Sequence, residues 1–211
     1  MRIVCASDTH GFHRKLEVPT AEIFIHAGDF STLASTVDEI DDFNDWLGSL
    51  PHRHKIVVSG NHDKLFETKP KLARQNLTNA VYLEHSAATI EGLLFWGCPV
   101  TPVLPHMAFA TPPGAAGKYW DMIPGRTDVL ITHGPPFGIL DKEDILREHD
   151  GCMQLNRAVQ RIRPALHIFG HIHGGRGTEK GPHGTLFVNC AVLNGDRLSP
   201  PILINLDCTS H

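Results

Sequence analysis

The sequence lacks paired cysteines. Its five, Cys5, Cys98, Cys152, Cys190 and Cys208, are odd in number, dispersed and without a CxxC spacing, which argues against a disulfide framework and against a thiolate zinc knuckle. Reduced thiols are expected. Long apolar runs are also missing. Residues 3–6, behind the single Arg2, are far too short for the core of a signal peptide, and no other stretch approaches a membrane span. A soluble, cytoplasmic protein without a membrane partner is expected. Basic charge is not in excess either: 19 Lys and Arg stand against 23 Asp and Glu, a formal net charge of −4. Such a balance argues against a large electrostatic footprint for duplex nucleic acid, so the chain's partner should be a small molecule. No internal repeat or low-complexity tract is present, and no apolar surface stripe decides between monomer and homodimer.

What the sequence has in quantity is histidine, 15 residues in a chain of 211. That length suits one domain spanning residues 1–211. Apolar β-branched runs at residues 2–7, 22–27 and 55–59 read as buried strands ending in polar, Gly-containing loops. Between the last two, Val37, Ile40, Phe43, Leu47 and Leu50 share one face of a helix over residues 35–50, with Ser35 and Asp38 as its capping box. Strand, loop, strand, helix, strand builds a mostly parallel sheet, whose ligands sit at the carboxyl ends of its strands. Residues 81–84, 88–90 and 93–97 read as antiparallel strands, the last two joined by a tight Glu91-Gly92 turn. Periodicity fades over residues 98–125, read as a long surface loop near the site with a short helix around Trp120. Strands at 128–132, 167–169, 186–190 and 202–206 and a helix at 153–162 complete the pattern.

Five polar clusters each follow a strand: Asp8-Thr9-His10, Gly28-Asp29, Gly60-Asn61-His62-Asp63, His133-Gly134 and Gly170-His171-Ile172-His173. Singly, each is an ordinary loop or turn sequence. Together they offer seven nitrogen or oxygen donors and no thiolate: Asp8, His10, Asp29, Asn61, His133, His171 and His173. Such donors suit Mn²⁺, Fe or Zn²⁺, and they are too many for one tetrahedral ion. With Asp29 as a shared carboxylate they divide into two groups, as a pair of ions roughly 3.5–4 Å apart on a phosphoryl group requires. Two divalent cations, two aspartates and a bridging hydroxide leave a small positive charge to meet an anionic phosphate. His62 is the candidate catalytic residue at the leaving group, with Asp63 orienting or charging its ring. Phe12, His13, His106, Phe109, Tyr119 and Trp120 are candidates for the mouth of the site, although loop residues of this kind more often pack locally. Arg176 and Lys180 read as solvated charges. The histidines outside the clusters, such as His26, His167 and His211, read as surface or core residues.

These clusters resemble the motif set of the calcineurin-like metallophosphoesterase superfamily. Closer similarity is to its MPPED-type branch, related to class III cyclic nucleotide phosphodiesterases, and extends over nearly the whole chain. It is carried by Ser7-Asp8-Thr9-His10, Phe43-Asn44-Asp45-Trp46-Leu47-Gly48, Thr132-His133-Gly134-Pro135-Pro136 and the segment 163–177. The resemblance implies an α/β fold, a two-sheet sandwich of mixed sheets flanked by helices in four αββα layers. It implies two divalent ions, Mn²⁺ first among Fe, Zn²⁺, Ni²⁺ and Mg²⁺. Asp8, His10, Asp29 and His173 would hold one, and Asp29, Asn61, His133 and His171 the other. It implies a phosphodiesterase acting on small diesters such as cyclic nucleotides. A phosphomonoesterase or protein phosphatase with the same core, and a scaffold without chemistry, are the alternatives. Some members of the branch carry Gly where this chain keeps His171, and animal members carry Glu where it has Asp63.

Overall fold

The computed structural model describes residues 1–102, 106–112, 114–143 and 148–206; Cys208 and His211 lie outside them. Two sheets form the centre. The first contains β1 (Arg2–Ala6), β2 (Ile23–Ala27), β3 (His54–Val58) and β4 (Val81–Tyr82), mutually parallel in that order. The second contains β5 (Ser86–Ile90), β6 (Leu93–Cys98), β7 (Val129–Thr132), β8 (Leu166–Phe169), β9 (Gly177–Lys180) and β10 (Leu186–Asn189). Its order is β9-β10-β8-β7-β6-β5, parallel except at the two edge strands. The last strand, β11 (Ile202–Asn205), returns to the first sheet and pairs antiparallel with β1.

Side chains alternate across a strand, and here both faces are apolar. Ile3, Cys5, Ile23, Ile25, Ile56 and Val58 of the first sheet meet Phe95, Val129, Ile131, Leu166, Ile168 and Val188 of the second in one core between the sheets. The intervening Val4, Phe24 and Val57 face outward onto α1 (Val37–Ser49), α2 (Lys64–Thr68) and α3 (Pro70–Asn76) through Ile40, Phe43, Leu47, Phe66 and Ala73. On the far side Trp96, Leu130 and Phe187 pack under α4 (Gly117–Trp120) and α5 (Met153–Ile162) through Trp120, Leu155, Val159 and Ile162. Each fully buried large apolar side chain contributes about 1.5–3 kcal/mol, and the result is the expected four-layer αββα sandwich.

Several local readings are corrected. Helix α1 is capped by Thr36 and Glu39, not by Ser35 and Asp38: the Thr36 hydroxyl accepts from the Glu39 N–H, and the Glu39 carboxylate accepts from the Thr36 N–H. Ser35 sits at φ +44° and its hydroxyl accepts instead from the Leu65 N–H. Strand β4 is parallel to β3, an edge of the first sheet rather than part of an antiparallel group. The Glu91-Gly92 hairpin forms as expected, both residues having positive φ as a type I′ turn requires. Helices α2 and α3, directly after Gly60-Asn61-His62-Asp63, carry no periodic signal because they span only five and seven residues. Cys5, Cys98, Cys152 and Cys190 are free thiols.

Candidate dimetal centre

Parallel strands bring their carboxyl ends to one edge, and both sheets deliver their clusters there. Asp8, Asp29 and Asn61 follow β1, β2 and β3; His133 follows β7, and His171 and His173 follow β8. The chain must turn sharply at each strand end to aim these side chains inward. Four of the seven donors, Asp8, His10, Asp29 and His171, have φ between +41° and +69°. Left-handed backbone at non-glycine residues costs on the order of 1–3 kcal/mol each and clusters at functional sites. Two glycines are required by close approach. A Cβ on Gly60 would stand 2.2 Å from Asp29 Oδ1, and one on Gly170 would stand 2.2 Å from Asp8 Oδ2.

The donors fall into three overlapping groups, within each of which all ligand atoms lie within 4.8 Å of one another: Asp8, His10 and His173; His10, Asp29 and His62; and Asp29, His133 and His171. Asn61 joins the last through its Oδ1, 2.8 Å from His133 Nε2. The structure thus brings all seven expected donors and His62 together, with His10 and Asp29 each shared between two groups. Among the described residues none of the histidines outside the motifs enters such a group. His26 and His167 are core residues whose Nε2 atoms meet the Thr9 and Thr132 hydroxyls, and burial holds both imidazoles down to about 3, so they stay neutral.

The centre is arranged for positive charge. His133 donates from Nδ1 to the Ala27 carbonyl at 2.9 Å, which turns Nε2 toward the site, 3.3 Å from Asp29 Oδ2. Burial alone would lower its pKa, yet the Asp29 and Asp8 carboxylates push it up to about 10. Asp8 is fully buried; desolvation opposes its ionisation, but His173 and His133 hold it well below the usual carboxylate range. Its carboxylate accepts from the Ser7 hydroxyl and from the His171 N–H. Burial and the neighbouring His133 lower His171 to about 4, so it presents a neutral ring. Buried carboxylates, neutral or cation-seeking imidazoles and one amide oxygen fit two divalent cations.

Asp63 does not orient His62. It is fully buried, and its carboxylate accepts from the backbone N–H groups of Asp29, Ser31 and Gly60 at 2.9, 2.9 and 2.7 Å. Burial and the nearby Asp29 charge raise it to about 7. It ties the two ligand loops together, a geometry that the adjacent numbers 62 and 63 do not reveal. The His62 ring is placed by packing against His10, centroids 4.5 Å apart, with its Nε2 3.9 Å from Asp29 Oδ2 and its Nδ1 without a hydrogen-bond partner.

Glu143 has a part in the centre that the sequence does not signal, because it sits in a segment without periodicity. Its carboxylate accepts from the N–H groups of His173 and Gly174 at 3.1 and 3.2 Å and so fixes the turn that carries a donor. Outer-shell partners of this kind are worth about ten- to a hundredfold in metal affinity or activity. Glu143→Ala is expected to raise by that factor the Mn²⁺ concentration needed for half-maximal activity, and an unchanged Mn²⁺ titration would remove Glu143 from the account.

The centre opens into a cavity of about 690 Å³ lined by His10, Asp29, Thr32, Leu33, Ala34, Asn61, His62, Met107, His171 and His173. None of the expected mouth candidates lines it. His13 packs on Phe43 and Trp46, Phe109 and Trp120 are buried in the cores, and Tyr119 stacks on His85. Arg176 is a structural residue, bonded to the Ala191 and Pro200 carbonyls.

Comparison with known proteins agrees with this geometry. The model of the family described as calcineurin-like phosphoesterase matches residues 1–175. A human metallophosphoesterase domain-containing protein 1 is 38% identical over 97% of this chain and 71% of its own length. The UPF0046 protein K07C11.7 of Caenorhabditis elegans is 34% identical over 92% of this chain and 70% of its own. The crystal structure of TT1561 from Thermus thermophilus superposes with a TM-score of 0.64 at 16% identity, covering 89% of this chain and 88% of that one, a likeness of fold. The family is one of metal-dependent phosphoester hydrolases. The match along most of the chain, together with relatives aligned over nearly all of it, makes this chain a member of the calcineurin-like phosphoesterase family.

Proposed function

We propose that the chain hydrolyses small phosphodiesters with two divalent ions, Mn²⁺ foremost, held by Asp8, His10, Asp29 and His173 at one position and by Asp29, Asn61, His133 and His171 at the other. The observation that carries this reading is the overlap of the donor groups through His10 and Asp29. When bound, such ions supply Lewis-acid stabilisation of the phosphoryl oxygens and acidify the attacking water. The chain's own part is to hold the donors rigidly. Asp8 is fixed by Ser7 and the His171 N–H, Asp29 Oδ1 by the His62 N–H at 2.7 Å, and His133 by the Ala27 carbonyl. His62 lines the cavity with its side chain about a quarter exposed, placed to assist the departing oxygen.

The cavity wall also supports diesters over monoesters. Among the described residues no lysine or arginine lines it, so nothing there beyond the ions would balance the second charge of a monoester, whereas a diester carries only one. Among the same residues no helix is long and apolar enough to cross a membrane.

The test is turnover of bis(4-nitrophenyl) phosphate and 4-nitrophenyl phosphate side by side, after chelation and after Mn²⁺ is restored. Diester hydrolysis should disappear with chelation, return with Mn²⁺ and exceed monoester hydrolysis. Faster monoester turnover would shift the reading to a phosphomonoesterase, and no turnover of either ester by the Mn²⁺-loaded protein would favour a scaffold without chemistry.

A further inference from the structure

The cavity lining is mostly polar, Thr32 included, and three of its residues are apolar. Leu33, Ala34 and Met107 line the mouth, from two segments far apart in the chain. Leu33 is 69% exposed, the most exposed large apolar side chain among the described residues. Single exposed leucines are common and need no explanation. This one differs because its loop is fixed at both ends. The Ser31 N–H donates to Asp63 Oδ1, the Thr32 N–H to Glu39 Oε1 at 3.0 Å, the Ala34 N–H to the Thr32 hydroxyl, and the Leu65 N–H to the Ser35 hydroxyl. Ser31 and Ser35 are buried, so Leu33 is a short, anchored excursion beside the donor Asp29.

Met107 is presented in the same manner. Ala108 and Phe109 are buried behind it; the Ala108 N–H donates to the Asn61 carbonyl at 3.0 Å, and the Phe109 N–H to Glu67 Oε1 at 2.9 Å. Both apolar side chains are therefore carried by backbone tied to the loops that bear Asp29, Asn61 and Asp63. A thioether is polarisable and adapts to an aromatic face, and a pinned loop loses little entropy when a ligand settles on it.

We propose that Leu33, Ala34 and Met107 form an apolar platform that receives one uncharged, aromatic ester arm of the substrate, so that the enzyme selects aryl-type over small alkyl phosphoesters. This deepens the phosphodiesterase reading and rests on it for the position of the phosphoryl group. The phosphoryl end lies over the donors, and the arm leaves across the rim, where Leu33, Ala34 and Met107 present no charge to oppose it.

The test uses two non-hydrolysable probes, phenylphosphonate and methylphosphonate, titrated calorimetrically into the Mn²⁺-loaded protein. They share the phosphoryl group and differ in the arm. Phenylphosphonate should bind about tenfold or more tightly, the lower end of what an apolar pocket discriminates. Leu33→Ser and Met107→Ser should each bring that ratio toward one, with circular dichroism as a check of fold. Leu33→Ser removes a side chain that is mostly in water, so its reading does not depend on refolding. Equal binding of the two probes by the wild type, or a ratio untouched in both variants, would overturn the platform. Absence of metal-dependent diester turnover would instead overturn the phosphodiesterase reading, and the two failures are thereby distinguishable.

Discussion

Replacing Asp29 with Asn is expected to lower metal-dependent hydrolysis by more than about a hundredfold, the upper end of what loss of a mere outer-shell partner costs. The substitution is nearly isosteric, and the amide oxygen can still accept from the His62 N–H that bonds Asp29 Oδ1. What disappears is the second anionic oxygen, the one 3.3 Å from His133 Nε2 and 3.9 Å from His62 Nε2. Asp29 belongs to two of the three donor groups and Asp8 to the third, so on the proposed assignment Asp29 would be the one carboxylate shared by both cations. Steady-state rates in Mn²⁺-replete buffer, with circular dichroism to confirm the fold, give the answer; a variant within tenfold of the wild type would remove Asp29 from the centre of the account.

His62→Ala is expected to lower kcat by about a hundred- to ten-thousandfold, the range for loss of a positioned general acid or base, while both ions are retained. The distinction matters because His62 also shares a donor group with His10 and Asp29. A ligand role and a role at the substrate make opposite predictions for metal content. A large kcat loss with full metal content fits the substrate role, and loss of an ion in this variant would make His62 a ligand instead. The side chain lines the open cavity and its Nδ1 makes no hydrogen bond, so truncation breaks no internal network.

The layers of the fold are legible because its central strands are buried on both faces and read as largely apolar runs, Ile3–Ala6 and Ile23–Ile25 among them. The donors are legible for a related reason: the cluster that holds each of them follows a strand, and parallel strands must deliver their carboxyl ends to the same edge. Interactions that bridge elements distant in sequence are not legible. Adjacency pairs Asp63 with His62, yet the Asp63 oxygens are spent on the backbone of residues 29, 31 and 60. Glu143 acts on His173 across 30 residues of separation. Aromatic residues of the 98–125 loop are natural candidates for the mouth, but Trp120 and Phe109 have enough apolar area to be drawn into the cores, leaving Leu33, Ala34 and Met107 at the rim. The cap of α1 lies one residue beyond its expected place because Ser35 takes a left-handed conformation in order to receive the Leu65 N–H.

The central claim is that one carboxylate, Asp29, organises two cations. Native mass spectrometry of the Mn²⁺-loaded protein, together with elemental analysis, tests it most directly. Two divalent ions per chain in the wild type and fewer than two in Asp29→Asn are the predicted result. A wild type fully active with a single ion, or an Asp29→Asn variant that keeps both, would contradict it.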